Sequence, residues 1–135
     1  MTSYLRDTEV ANKPIRVFHG IPDDYNPMAP CKAYAARLQA AGADILITEY
    51  PEAQHSFDNP LGNPTPVVVA NAQTVRNCQI AEETLGVLID KATRQPFSYK
   101  DACVELGPHV NHDASATDAA KSAVKQFLRD LFNIS

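Results

Sequence analysis

Two short apolar runs on either side of a helical pattern constrain the fold of this chain more than any other feature. The first run, Pro14 to Gly20, predicts a buried strand, and the second, Ile45 to Tyr50, predicts another strand that ends at Pro51. Between them, apolar side chains recur at the three-and-four spacing of an amphipathic helix, at Cys31, Tyr34, Ala35, Leu38 and Ala41. A helix between two short strands is the connection that parallel strands require, so the sequence predicts an α/β fold built on a strand-helix-strand unit.

The rest of the chain predicts an irregular excursion followed by a C-terminal helix. Three prolines, at residues 60, 64 and 66, favour little regular structure in the first half of residues 57–83. Residues 84–103 alternate in polarity before a polar turn, which allows either a small hairpin or a short helix beginning near Ser98. The closing helix, with Asp113 or Ser115 as its N-cap, has an apolar face formed by Ala120, Val124, Phe127, Leu128 and Leu131.

Length and charge bound the number of domains and the class of partner. A chain of 135 residues with 44% apolar content suffices for a single domain, residues 1–135. The net charge of -4, with scattered lysines and arginines, provides no basic patch for nucleic acid or for an anionic membrane. No run of residues approaches the roughly 20 apolar residues that span a bilayer. A small-molecule or protein partner is therefore expected.

The three cysteines and the first ten residues indicate the cellular compartment of the protein. Cys31, Cys78 and Cys103 form no C-x-x-C pair, which excludes a zinc knuckle and a thioredoxin-type motif. Cys31 lies on the apolar helix face, where a free cysteine acts as a small hydrophobe. The first ten residues, a loop or a short helix, lack the apolar core of a signal peptide, and this favours a cytoplasmic protein. A disulfide between Cys78 and Cys103 would instead fit a periplasmic or secreted one.

Asp23 and His55 each follow one of the two predicted strands. In an open parallel sheet, catalytic groups gather beyond the carboxyl ends of the strands, and neighbouring strands lie about 4.8 Å apart. An aspartate that accepts a hydrogen bond from one histidine nitrogen fixes the tautomer and leaves the other nitrogen to act as a base. The sequence thus makes Asp23 and His55 candidate catalytic residues, although each could also be an ordinary loop residue.

Other polar and aromatic residues favour structural roles. Asp24 is expected to form or cap a turn, and His19 to be satisfied by backbone groups at the edge of the core. His109 and His112 have a spacing that could hold a metal on a helix, but no third ligand is evident, and no metal or cofactor is predicted. Four residues are expected to serve only in packing: Tyr34, Leu38, Phe127 and Leu131.

The surroundings of the two candidates form a recognisable pattern. Gly20 to Asp23 read G-x-x-D, and Ala53 to Phe57 read A-x-H-x-F, with one helix and one strand between them. This order resembles the carboxyl-terminal half of the dienelactone hydrolase family of α/β-hydrolases, in which the acid precedes the histidine. The resemblance is close from Pro14 to Pro60 and looser through the final helix.

The resemblance implies a partial α/β-hydrolase fold and hydrolysis of ester or lactone bonds in a small-molecule substrate. Asp23 is then the triad acid and His55 the triad base, and Asp23 is preferred to Asp24 because it lies three residues after Gly20. The family's nucleophile, a Cys or Ser in a G-x-[CS]-x-G elbow, should come dozens of residues before the acid. Only 22 residues precede Asp23, and none of the five glycines frames such an elbow.

Two interpretations follow from the missing elbow. In the first, the chain is the C-terminal portion of a hydrolase, as a truncated product, a fragment or a remnant, and is inactive or nearly so by itself. In the second, it is a non-catalytic interaction module that forms a homodimer or pairs with a separate N-terminal half. The second is favoured by the sheet edge and apolar face that a sheet of two or three strands would leave uncovered.

Overall fold

The computed structural model of the protein describes residues 9, 10 and 12–134. Most of the loop or short helix that the sequence predicts over the first ten residues lies outside these described residues. Helices and strands both contribute to the described part, as the α/β class requires, beginning with β1 (Ile15–Gly20), α1 (Met28–Ala40) and β2 (Ile45–Tyr50).

The strand-helix-strand unit has the predicted parallel pairing. β1 and β2 run in register from Ile15 opposite Ile45 to Gly20 opposite Tyr50. α1 ends where expected, with Gly42 at a φ of 90°, a left-handed conformation that glycine adopts without steric cost. One core cluster joins the helix to the strands through Ala35, Leu38, Ile45, Ile15, Val17, Ala43 and Ile47. Parallel pairing brings the loops after β1 and β2 to the same edge of the sheet.

The excursion, the part of the chain between the His55 loop and α2, contains short antiparallel strand pairs. β3 (Val67–Val68) pairs with β8 (His109–Val110), β4 (Gln73–Thr74) with β7 (Glu105–Leu106), and β5 (Ile80–Thr84) with β6 (Val87–Asp90). A hairpin is present as β5 and β6, but it begins earlier than predicted: of its two strands only β6 lies within residues 84–103. The alternative helix near Ser98 is wrong, because Ser98 begins a turn in which its N–H donates to Asp101 and its carbonyl accepts from the Asp101 N–H. Cys78 and Cys103 form a disulfide within the excursion.

The C-terminal helix, α2 (Ala114–Phe132), is capped by Asp113, whose carboxylate accepts from the Ala116 N–H at 2.9 Å. Its first half packs on the end of β2 in a second core cluster, formed by Tyr50, Ala53, Phe57, Ala116 and Ala120. No helix in the described part of the chain is long and apolar enough to cross a membrane.

The second half of α2 departs from the predicted packing. Val124, Leu128 and Leu131 are 38%, 41% and 41% exposed, although all three lie on the apolar face that the helical period predicts. Tyr34, also expected in the core, is 38% exposed, and its ring is covered on one side by the guanidinium of Arg37. The period identifies which face of a helix is apolar, but burial requires close packing by a second element, and at the end of α2, within the described residues, the guanidinium of Arg16 covers only Phe127.

Candidate active site

The loops that follow β1 and β2 meet through backbone contact between Gly20 and Ala53. A Cβ atom added at Gly20 would lie 1.8 Å from the carbonyl oxygen of Ala53, so only glycine fits where β1 ends. Ala53 is fully buried at the same point, and the Ile21 N–H donates to the carbonyl of Tyr50 at 2.8 Å. The glycine of G-x-x-D and the alanine of A-x-H-x-F are thus the two sides of one close contact.

The carboxylate of Asp23 uses both of its oxygens. Oδ1 accepts from the backbone N–H groups of Tyr25 at 2.9 Å and Asn26 at 2.8 Å, which fixes the turn after β1. Oδ2 lies 3.1 Å from Nδ1 of His55. The side chain is only 8% exposed. Asp23 therefore both forms the turn and contacts His55, so the loop-residue and the catalytic interpretations of Asp23 are compatible.

His55 is held on several sides. Its ring stacks on the ring of Tyr25, with centroids 4.5 Å apart and planes at 26°, and the amide of Asn26 lies 3.5 Å from Nδ1. Its backbone carbonyl accepts from the Asn111 N–H at 3.3 Å, where His55 forms a parallel bridge with Val110. The side chain is 30% exposed. With Nδ1 directed at Asp23, the remaining ring nitrogen, Nε2, is left to exchange protons with another group.

The loop that carries His55 is anchored to α2. The Phe57 carbonyl accepts from the Asp113 N–H at 2.9 Å and from the Thr117 hydroxyl at 2.8 Å, and Thr117 is 2% exposed. Between His55 and Phe57, Ser56 has a φ of 61°, a left-handed conformation that is uncommon for a residue with a side chain. The strained residue sits directly beside the histidine, where the surrounding anchors hold the backbone.

An open cleft of about 880 Å³ lies beside this pair and includes both Asp23 and His55 in its wall. Its apolar part comes from β1, the His55 loop and α2, through Phe18, Phe57, Ala120, Val124 and Leu128. Lys121 and Lys125 of α2 also line it. The cleft is large enough for a small molecule whose body is apolar, placed against His55.

Asp24 is predicted from the sequence to form or cap a turn, but its carboxylate instead binds two residues that are distant in the chain. Its Oδ2 accepts from Nη1 of Arg76 at 2.7 Å and lies 2.9 Å from Nδ1 of His109, while its Oδ1 accepts from the His109 N–H at 2.7 Å. Burial alone would raise the pKa of the Asp24 carboxyl, but the hydrogen bonds from His109 and the charges of His109 and Arg76 together lower it below its ordinary value. Sequence reasoning missed this cluster, because its members lie 52 and 85 residues from Asp24 and follow no local pattern.

The remaining candidates have structural surroundings. Nδ1 of His19 bonds the Gly20 carbonyl at 2.7 Å, as expected of a histidine satisfied by backbone, although the residue also lines the cleft. His109 lies in β8 rather than on a helix, and within the described residues no group of three or more His, Cys, Asp or Glu side chains could hold a metal ion. Burial raises the pKa of the Cys31 thiol, which makes it a poor nucleophile.

Comparison with known proteins gives one match. The model of the dienelactone hydrolase family matches residues 1–88, a span that contains β1, α1, β2 and both Asp23 and His55. No curated protein and no solved structure matches the chain.

Proposed function

The chain belongs to the dienelactone hydrolase family, and we propose that Asp23 and His55 are the acid and base of an active site that hydrolyses ester or lactone bonds. The observation that carries this proposal is the contact of 3.1 Å between Oδ2 of Asp23 and Nδ1 of His55 at the wall of an open cleft. The two groups come from the ends of neighbouring parallel strands, where α/β enzymes assemble their active sites.

In the proposed reaction, Nε2 of His55 takes the proton of a nucleophilic Cys or Ser as that group attacks the carbonyl carbon of the substrate. Asp23 stabilises the imidazolium and holds the ring in the tautomer that leaves Nε2 free to accept. The imidazolium then gives the proton to the departing alcohol oxygen, and water releases the acyl group in a second round of the same chemistry.

We propose that the nucleophile comes from outside these 135 residues, a proposal supported by the lack of a G-x-[CS]-x-G elbow among them. We therefore propose that β1, α1 and β2 are part of a larger parallel sheet of the α/β-hydrolase type. The pairing of β1 supports this, because within the described residues β1 pairs only with β2 and its other edge has no strand beside it. A strand added there would place its own carboxyl end beside Asp23 and His55.

Complementation tests the proposal. The chain is co-expressed with the amino-terminal segment of a dienelactone hydrolase family protein that contains a G-x-[CS]-x-G elbow, and hydrolysis of p-nitrophenyl acetate is measured. We expect turnover that His55→Ala lowers by about 10⁴-fold or more and that Asp23→Asn lowers by about 10³- to 10⁴-fold, as in other triads. His112→Ala is the matched control and should keep the activity. Turnover that does not depend on His55 would contradict the proposed role.

A second function is favoured by a different observation. The end of α2 exposes apolar side chains at Val124, Leu128, Leu131 and Phe132, and Ile134 beyond it is also exposed. Within the described residues β1 also has one edge without a paired strand. Exposed apolar surface and an open sheet edge both favour association, either as a homodimer or with a separately encoded N-terminal half. Light scattering over a range of concentrations tests this non-catalytic role. Self-association would be excluded if the wild type, like a Leu128→Asp variant, remained a monomer at every concentration.

The disulfide supports an oxidising compartment for the protein. Cys78 and Cys103 are bonded while Cys31 is free, and such bonds persist outside the reducing cytoplasm. We propose a periplasmic or secreted location on this ground, in place of the cytoplasmic one that the sequence favours. Thiol titration of protein isolated after acid quenching tests it, with one reactive thiol expected. Three thiols would support the cytoplasm.

A further inference from the structure

We propose that Arg76 is a positioning residue for the Asp23–His55 pair, acting through Asp24 and held in place by the Cys78–Cys103 disulfide. The inference rests on the proposed function, which gives the pair its catalytic roles. It assigns to the excursion the task of holding the loop that carries the acid.

The first step is the attachment of Asp24 to the excursion. Its carboxylate binds the Arg76 guanidinium at 2.7 Å and two groups of His109, the backbone N–H at 2.7 Å and Nδ1 at 2.9 Å. Arg76 Nη1 also reaches the Asp24 carbonyl at 3.4 Å. Hydrogen bonds to a charged acceptor are stronger than neutral ones, so these contacts tie the loop after β1 to two separate segments of the excursion.

The second step is the anchoring of Arg76 itself. Nε of Arg76 donates to Oε2 of Glu105 at 2.6 Å, and the Asn77 amide donates to Oε1 of the same carboxylate at 2.7 Å. One residue further along, Cys78 is joined covalently to Cys103. Residues 76–78 and 103–105 are thus joined by three contacts, two hydrogen bonds to Glu105 and one disulfide. The guanidinium therefore lies between the carboxylates of Asp24 and Glu105.

The third step carries the constraint to the active pair. Asp23 lies between the end of β1 and Asp24, and the next residue, Tyr25, is also fixed, because the hydroxyl of Thr74 donates to its carbonyl at 2.9 Å. Thr74 is 2% exposed, and the ring of Tyr25 stacks on His55. With Asp24 and Tyr25 both held by the excursion, the carboxylate of Asp23 has one orientation, the one directed at Nδ1 of His55.

The test observes the hydrogen bond of His55 directly by proton NMR of the purified chain. The Nδ1 proton, assigned by its loss in His55→Gln, should be slow to exchange with water because Asp23 accepts it. We expect Arg76→Ala to raise that exchange rate about five-fold or more, the scale of effect for coupled neighbours. Arg76→Lys keeps the positive charge, so its exchange rate at His55 should lie between the rates of the wild type and Arg76→Ala. Arg94→Ala is the matched control, because it removes an excursion arginine whose partner, Glu83, lies away from the acid loop.

An Arg76→Ala protein that is folded by circular dichroism and has the wild-type exchange rate at His55 would overturn the proposal. Should that variant not fold, Asp24→Asn replaces it, because this change removes the ion pair with Arg76 and keeps an oxygen acceptor for His109. The same two outcomes apply to it: faster exchange at His55 supports the proposal, and unchanged exchange overturns it.

The disulfide is tested with a dithiol. Two successive thiolate attacks reduce the Cys78–Cys103 bond to two thiols, while the dithiol is oxidised to its cyclic disulfide and the two protons pass to the protein thiols. The exchange rate of the His55 Nδ1 proton should rise when the disulfide is reduced. In Arg76→Ala this rise should be much smaller. A wild-type response that persists unchanged in Arg76→Ala would contradict the route through Arg76. Since the measurement does not involve hydrolysis, the positioning role can stand or fall apart from the proposed function.

Discussion

Gly20 and Ala53 are in such close contact that a Cβ atom on Gly20 would lie 1.8 Å from the Ala53 carbonyl oxygen. The contact joins the end of β1 to the loop after β2, three residues before Asp23 and two before His55. It therefore sets the distance between the candidate acid and base at the level of the backbone. The hydrogen bond between their side chains depends on a spacing that the missing Cβ permits.

The first prediction follows from this contact. Gly20→Ala should lower the free energy of unfolding by about 3 kcal/mol, because the added methyl group meets backbone atoms that cannot rotate away. Gly42→Ala is the control: Gly42 has a φ of 90° with no atom within 4 Å of the added carbon, so its cost should be about 1 kcal/mol from backbone strain alone. Urea denaturation measures both. Equal losses at the two glycines would mean that the contact is looser than described.

Much of this architecture can be predicted from the sequence because it is encoded locally. The periodicity of residues 28–42 and the apolar runs on either side are enough to place α1 between β1 and β2. Parallel pairing then brings the residues after both strands to one edge, which is why Asp23 and His55 could be identified together. Asp113 is likewise a local signal, a capping residue directly before an amphipathic pattern.

The parts that could not be predicted depend on contacts between distant residues. Arg76 and Asp24 are 52 residues apart, and an ion pair across such a separation leaves no periodic trace in the sequence. The same holds for the exposure of Leu128 and Leu131: the pattern shows that one face of α2 is apolar, but nothing in it reveals whether another element covers that face.

The second prediction concerns the N-cap of α2. Asp113→Ala should destabilise the chain by about 1 kcal/mol, since it removes the side-chain acceptor for the Ala116 N–H at the start of α2. Asp118→Ala, on the exposed side of the same helix, should change stability by less than about 0.5 kcal/mol. Thermal and urea unfolding of both variants provide the comparison. A loss at Asp118 as large as that at Asp113 would point to net charge rather than capping.

The third prediction is a pH dependence at Asp24. The folded protein lowers the pKa of this carboxyl below its ordinary 3.8, despite the opposing effect of burial. Stability from a lowered carboxyl pKa is present above the unfolded value and is lost as the pH falls through the folded one. The difference in unfolding free energy between wild type and Asp24→Asn should therefore be present at about pH 5 and should shrink below about 4.

The size of this effect should be under about 1 kcal/mol, because the pair of Asp24 with Arg76 is partly exposed and screened by solvent. High salt should also reduce this difference in unfolding free energy at neutral pH, because dissolved ions screen the pair. A difference that grows on acidification would show that Asp24 is stabilised in its protonated form, against the direction given by its partners.

The fourth prediction concerns the isolated chain. It should hydrolyse p-nitrophenyl acetate only at the slow rate of an accessible imidazole, because under the proposed function the nucleophile is supplied by another segment, and a base and its orienting acid contribute little without it. His55→Ala should remove no more of this rate than His112→Ala removes, within a factor of about three, since both histidines are partly exposed imidazoles. Turnover of about 1 per second or faster that depends on His55 would reach the range of real enzymes. It would mean that another group within these 135 residues acts as the nucleophile.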